Sequence, residues 1–101
     1  MWFKVLELSP KPNVLQAVSV NGVEVVLTNV KGKLYCFENC CPHEEARLSL
    51  GCIKHKKIKC ALHGYNFNLE TGWSSEEDLE RLIIYQVKQE KAGIFIEIEN
   101  C

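Results

Sequence analysis

A cysteine and a histidine one residue apart, Cys41-Pro42-His43, are followed after sixteen intervening residues by a second pair two residues apart, Cys60-Ala61-Leu62-His63, with Gly64 next in line. Two thiols and two imidazoles in this order constrain the chain more than any apolar run does, because both segments must be presented as loops that converge on one point. Residues i and i+2 of an extended segment point the same way, and Pro42 fixes the backbone between the first two candidates. Both side chains of the first loop can then reach one centre.

Two kinds of centre accept this donor set. Zinc takes two Cys and two His tetrahedrally, and Cys40 together with the Cys52-x-x-His55 pair allows other foursomes to be written. A zinc finger, however, shows two cysteines close together followed by two histidines. Here each pair is one Cys and one His, Cys first. A mixed-ligand [2Fe-2S] centre, with imidazoles replacing two thiolates on one iron, uses this set. Four thiolates leave an oxidised cluster at about −2, whereas two thiolates and two neutral imidazoles leave it near zero, so an added electron meets less repulsion.

The surrounding residues extend the pattern. Phe37-Glu38-Asn39-Cys40-Cys41-Pro42-His43, then Ala46-Arg47-Leu48-Ser49-Leu50-Gly51, then Ile58-Lys59-Cys60-Ala61-Leu62-His63-Gly64-Tyr65-Asn66-Phe67 and Thr71-Gly72 stand in the order and spacing of the Rieske family, which this chain resembles closely over residues 37 to 72 and loosely in the flanking strands. The resemblance implies that Cys41 and Cys60 hold the inner iron of one [2Fe-2S] cluster and that His43 and His63 hold the outer iron through Nδ1, with their outer edges toward solvent. Gly64 permits close backbone approach. The high-potential respiratory members add a cysteine to each loop, joined as a disulfide; the matching positions here are Ala46 and Leu62. Those members also place a serine and a tyrosine hydroxyl on cluster sulfurs, where this chain has Tyr65 and Phe67. Loss of these donors to sulfur predicts a potential near the low end of the family.

At 101 residues the chain is long enough for one domain with a modest core that a metal centre helps to secure. Twelve basic against thirteen acidic residues exclude the strongly basic balance of a nucleic-acid binder. The start, Met1-Trp2-Phe3-Lys4-Val5-Leu6-Glu7-Leu8, is interrupted by Lys4 and Glu7 and stopped by Pro10, so it is neither a signal segment nor a membrane anchor. A soluble, cytoplasmic, monomeric protein is expected.

The pattern between these landmarks is all-β. Val14 to Val20 and Val23 to Thr28 are rich in β-branched residues and separated by Asn21-Gly22, a hairpin signal because both turn positions need positive φ. Lys31-Gly32-Lys33 predicts the next turn, and Leu34-Tyr35-Cys36-Phe37 leads into the first ligand loop. Cys52 to Cys60 predicts a hairpin turning near His55-Lys56, Tyr65 to Leu69 a short strand, and Ile83 to Lys88 with Ile94 to Glu99 a closing hairpin around Ala92-Gly93. Ser74 to Arg81 offers hydroxyl caps followed by carboxylates and predicts a helical turn; it lacks the prolines that many Rieske ferredoxins have there. The expected architecture is a single Rieske domain over residues 1–101, an antiparallel β-sandwich base with a cluster-binding subdomain, about 38–72, inserted between its strands.

The remaining special residues take ordinary roles. Cys36 is expected as a small buried side chain, His55 as a solvated turn residue, Cys101 as a terminal thiol, and Trp2 and Trp73 as packing residues. Cys52 fits either a core thiol or a bridge partner. The lysine run Lys54-His55-Lys56-Lys57-Ile58-Lys59 is either a solvated hairpin or a steering surface for a redox partner.

No independent active site accompanies the two loops: a nucleotide-binding glycine motif, a mononuclear-iron triad and a paired nucleophile and base are all missing. The expectation is a one-electron carrier, not itself an enzyme. By resemblance to the ferredoxin components of ring-hydroxylating systems, it passes electrons from a flavin-dependent reductase to a terminal oxygenase, docking at the His43/His63 edge. The alternatives are an electron-transfer subunit held permanently on a larger, nitrite-reductase-like enzyme, and a structural zinc module that mediates protein contact.

Overall fold

The computed structural model describes residues 2–40, 47–59, 66–74 and 81–98. Among the described residues, ten strands follow one another: β1 (Trp2–Leu6), β2 (Gln16–Val20), β3 (Val23–Val30), β4 (Lys33–Glu38), β5 (Cys52–Lys54), β6 (Lys57–Lys59), β7 (Asn66–Asn68), β8 (Ile84–Tyr85), β9 (Val87–Glu90) and β10 (Gly93–Glu97). One turn of 3-10 helix, Leu48–Leu50, precedes β5.

Turn chemistry sets the first meander. Asn21 and Gly22 lie at φ 49° and 81°, Lys31 and Gly32 at 52° and 87°, the positive pairs that two-residue hairpin loops of right-handed twist require. β2, β3 and β4 therefore lie side by side, and β8 closes the far edge to give the order β2-β3-β4-β8. A second sheet is ordered β1-β10-β9 and a third β5-β6-β7, and every strand pair is antiparallel.

The run Val25-Val26-Leu27-Thr28 does not alternate between buried and exposed, because the four-stranded sheet is covered on both faces. On one face Val25, Leu27 and Cys36 pack with Ile94, Ile96 and Ile98 of the β1-β10-β9 layer. On the other, Val26, Tyr35 and Phe37 pack with Leu48, Ile58, Phe67, Leu69 and Leu82. Each Phe or Ile fully buried in this way contributes roughly 1.5–3 kcal/mol relative to exposure. The β5-β6-β7 layer that carries Ile58 and Phe67 falls in sequence between β4 and β8, both members of the central sheet.

Two expectations are corrected. Ile83 to Lys88 is not one strand: Ile84–Tyr85 pairs with β4 in the central sheet, whereas Val87–Glu90 pairs with β10, so the chain changes sheets at Gln86, whose carbonyl accepts from the Glu97 N–H at 3.0 Å. Trp73 is not a packing residue, being 57% exposed. Trp2 is exposed as well, at 37%, with the Lys88 ammonium 4.4 Å from its ring centroid. The helical turn expected over Ser74 to Arg81 lies almost wholly outside the described residues.

Candidate metal centre

Cys41, His43, Cys60 and His63 lie outside the described residues, as do Ala46, Leu62, Tyr65 and Cys101. What the structure describes is the frame on which both loops are mounted. β4 delivers the chain to the first loop, with the Glu38 N–H donating to Ile83 O at 3.0 Å and the Asn39 N–H to Glu24 O at 2.9 Å. The far end of that loop returns at Arg47 and is secured at once. The Asn39 Oδ1 accepts from the Ser49 N–H at 2.8 Å, its Nδ2 donates to Ser49 Oγ at 3.1 Å, and the Arg47 guanidinium pairs with the Glu24 carboxylate. Donation from Arg47, and then from Asn39, holds the Glu24 carboxyl below its ordinary value.

The second loop is mounted on a ladder. Lys59 of β6 and Asn66 of β7 are direct partners, so the two residues that flank the second loop stand opposite each other in the sheet. Behind them Ile58 faces Phe67, both wholly buried, which anchors that pair of strands in the core. Beyond β7 the Asn68 Oδ1 accepts from the Glu70 N–H at 2.7 Å and the Thr71 N–H at 3.2 Å, turning the chain through Gly72 at φ 83°. The Leu82 N–H donates to Gly72 O at 2.8 Å. A Cβ at Gly72 would lie 2.3 Å from Leu82 O, so glycine is required by both conformation and space.

Gly51 joins the two mounts. It follows the 3-10 turn that ends the first loop and lies on the backbone of Lys59, the residue before the second. Two Cys/His loops whose feet meet in this way suit a centre that takes one cysteine and one histidine from each.

The competing ligand sets fare differently. Cys52 opens β5 while His55 stands in the turn at the other end of that strand, and among the described residues no three Cys, His, Asp or Glu side chains form a metal-holding group. Cys36 is buried, and desolvation pushes its thiol up to about 12, as expected of an inert core cysteine. Cys52 is exposed, which removes the core-thiol option. His55 is a solvated turn residue at φ 53°, as expected. The lysine run divides: Lys54, His55 and Lys56 rim a groove of about 400 Å³ at the turn, whereas Lys59 is at the ligand-loop end of β6. From Lys56 to Lys59 is about 10 Å of extended chain.

Asn39, Ser49 and Gly51 stand in the family pattern without a role being legible for them, and Glu24 lies outside that pattern. Their contacts join separate segments, so no periodicity marks them. The available signal was position: Asn39 two residues before Cys41, and Ser49 and Gly51 within the patterned run after the first loop.

The model of the Rieske [2Fe-2S] domain matches residues 1–86. This chain belongs to the Rieske family. It is 36% identical over 83 residues to the ferredoxin component of the naphthalene 1,2-dioxygenase/salicylate 5-hydroxylase systems of Ralstonia sp, covering 81% of this chain and 80% of that one. It is 33% identical over 100 residues to the ferredoxin component of the naphthalene 1,2-dioxygenase system of Pseudomonas putida, covering 96% and 95%. Among solved structures, the ferredoxin of carbazole 1,9a-dioxygenase from Nocardioides aromaticivorans IC177 superposes with a TM-score of 0.88 at 27% identity over 97% of this chain and 98% of that one. The Rieske fold expected from the sequence is the one observed, and the cofactor of this Rieske domain is a [2Fe-2S] cluster. No helix among the described residues is long and apolar enough to cross a membrane.

Proposed function

We propose that this Rieske protein is a soluble one-electron carrier that takes electrons from a flavin-dependent reductase and delivers them to a terminal oxygenase. The near end-to-end match to a naphthalene 1,2-dioxygenase ferredoxin component carries this reading, because a carrier has no catalytic parts beyond its centre. It is the electron-transfer component of a multicomponent system, and the oxygenase does the chemistry.

In this reading Cys41 and Cys60 hold the inner iron and His43 and His63 the outer iron. When bound, the cluster supplies reversible one-electron transfer at a potential set by its two neutral imidazoles and by the hydrogen bonds to its sulfurs. The protein's own part is to keep both loops on one rigid frame and to leave the His43 and His63 edge open to a partner. Residues 38–72 form the cluster-binding unit of a single domain spanning 1–101, monomeric and cytoplasmic.

Reconstitution tests it. Purified protein, an NADH-dependent flavin reductase of a Rieske oxygenase system and the matching naphthalene-type oxygenase are mixed, and oxidation of the aromatic substrate is followed. Turnover that depends on this protein is expected. A carrier that the reductase cannot reduce, found instead in stable stoichiometric complex with a larger reductase, would replace the shuttle with the subunit reading.

A further inference from the structure

Asn39 is only 6% exposed, yet every polar atom of its carboxamide is used. Oδ1 accepts from the Ser49 N–H at 2.8 Å; Nδ2 donates to Ser49 Oγ at 3.1 Å and to Glu24 Oε1 at 2.5 Å. The main-chain N–H of Asn39 donates to the Glu24 carbonyl, and the Glu24 carboxylate also holds Arg47. Residues 39, 47 and 49, which bracket the 41–46 segment, are thus tied to one another and to β3. Burying a carboxamide costs free energy unless its donors and acceptors are met, and here they are met by Ser49, beyond the far end of the loop, and by Glu24 of β3. Such an arrangement adds little apolar packing. What it specifies is the distance and direction between the two ends of the loop.

We propose that Asn39 is a positioning residue for the first ligand pair: by closing the base of the 41–46 loop through Ser49 and Glu24, it presets the backbone from which Cys41 and His43 project. The proposal rests on the assignment of those two residues as ligands and goes beyond it, since Asn39 acts through the loop and not on the iron. Ligands held by hydrogen-bonded supports bind metal more tightly than ligands left to find their geometry, and loss of one such support typically costs 10–100-fold in metal affinity.

The test uses the cluster-loaded protein and three variants. Asn39→Ala removes all three side-chain bonds. Asn39→Asp keeps the acceptor for the Ser49 N–H but sets a carboxylate against that of Glu24. Asn39→Asp combined with Glu24→Gln restores a donor facing an acceptor, with the roles exchanged, and leaves the amide oxygen to accept from Arg47, which shares Glu24 Oε1 with Asn39 in the wild type. Bleaching of the visible absorbance by a chelator gives the rate of cluster loss, the linewidth of the reduced EPR signal gives the spread of ligand geometries, and far-UV circular dichroism gives the β fold.

Both single variants are expected to keep the wild-type dichroism, lose the cluster about tenfold faster, equivalent to about 1.4 kcal/mol, and broaden the EPR signal. The double variant recovers most of the lifetime. Wild-type lifetime and linewidth in Asn39→Ala overturn the proposal, and so does a double variant no better than Asn39→Asp, a comparison that stands even if Asn39→Ala does not fold. Absence of an iron–sulfur spectrum in the wild-type protein would instead bring down the underlying ligand assignment, which separates the two failures.

Discussion

Gly51 lies so close to Lys59 that a Cβ at residue 51 would sit 1.9 Å from the Lys59 carbonyl oxygen. The backbone at Gly51 is extended, at φ −88°, so any residue could adopt its conformation; only space demands glycine. This contact sets the exit of one ligand loop on the entrance of the other.

Gly51→Ala is therefore expected to force the two loops apart. Overpacking of this kind costs about 1–3 kcal/mol, and a domain of this size loses roughly 4–8 °C of melting temperature per kcal/mol. The cluster should be lost with it. Gly22→Ala is the control: nothing lies within 4 Å of its Cβ, and only the positive φ of 81° is penalised. It should cost about 1–2 kcal/mol and leave the visible spectrum intact. Equal effects on the spectrum would remove Gly51 from the frame of the site.

The register of the first ligand pair is tested by adjacent cysteines. Cys41→Ser and Cys60→Ser should abolish the cluster and, because metal binding is coupled to folding of the loops, increase proteolysis within residues 38–72. Cys40→Ser should leave the spectrum unchanged. The opposite result for Cys40 and Cys41 would move the register by one residue.

Phe67 is fully buried beside Ile58 in the strand that follows the second loop, and it offers no hydroxyl to a ligand sulfur. The potential should accordingly fall near the low end of the family, about −150 mV, and stay flat between about pH 6 and 8, because weak electron withdrawal leaves the imidazole N–H groups protonated. Phe67→Tyr should raise it. An unchanged potential accompanied by about 1–3 kcal/mol of destabilisation would mean that the new hydroxyl is buried without a partner.

The lysines of the β5–β6 hairpin make a graded prediction. At physiological ionic strength charges are screened over about 8 Å, less than the strand between Lys56 and the ligand loop. Lys59→Glu should slow electron exchange with the partner more than Lys56→Glu does, with an effect that shrinks as salt rises and no comparable change in potential. A larger effect from Lys56 would place docking at the turn.

Local chemistry was the legible part of the fold. Asn21-Gly22 and Lys31-Gly32 announced their hairpins by residue type, and the β5–β6 turn expected near His55-Lys56 is found there, both residues at positive φ although neither is glycine. Ile94, Ile96 and Ile98 alternate along the chain and share one buried face, the period of two that a strand shows. The partner of β1 was not legible: Trp2 pairs with Glu97 across nearly the whole chain, and no local signal carries such a pairing. Nor was the change of sheet at Gln86, since a strand that leaves one sheet for another keeps its extended, apolar pattern throughout. At the site, Cys41, His43, Cys60 and His63 could be proposed as ligands from residue type alone, because few residues bind metal. The polar contacts that mount their loops could not, because Asn39, Ser49 and Glu24 are ordinary residues whose role depends on segments brought together only by folding.

The assignment of Cys41, His43, Cys60 and His63 is tested most directly by electron–nuclear double resonance on the reduced protein, with metal content measured on the same sample. The expected result is two irons and no zinc per chain, with strong hyperfine coupling to two imidazole nitrogens, one of which disappears in His43→Cys and the other in His63→Cys. A colourless protein with one zinc, or a cluster showing no directly bound nitrogen, would contradict it.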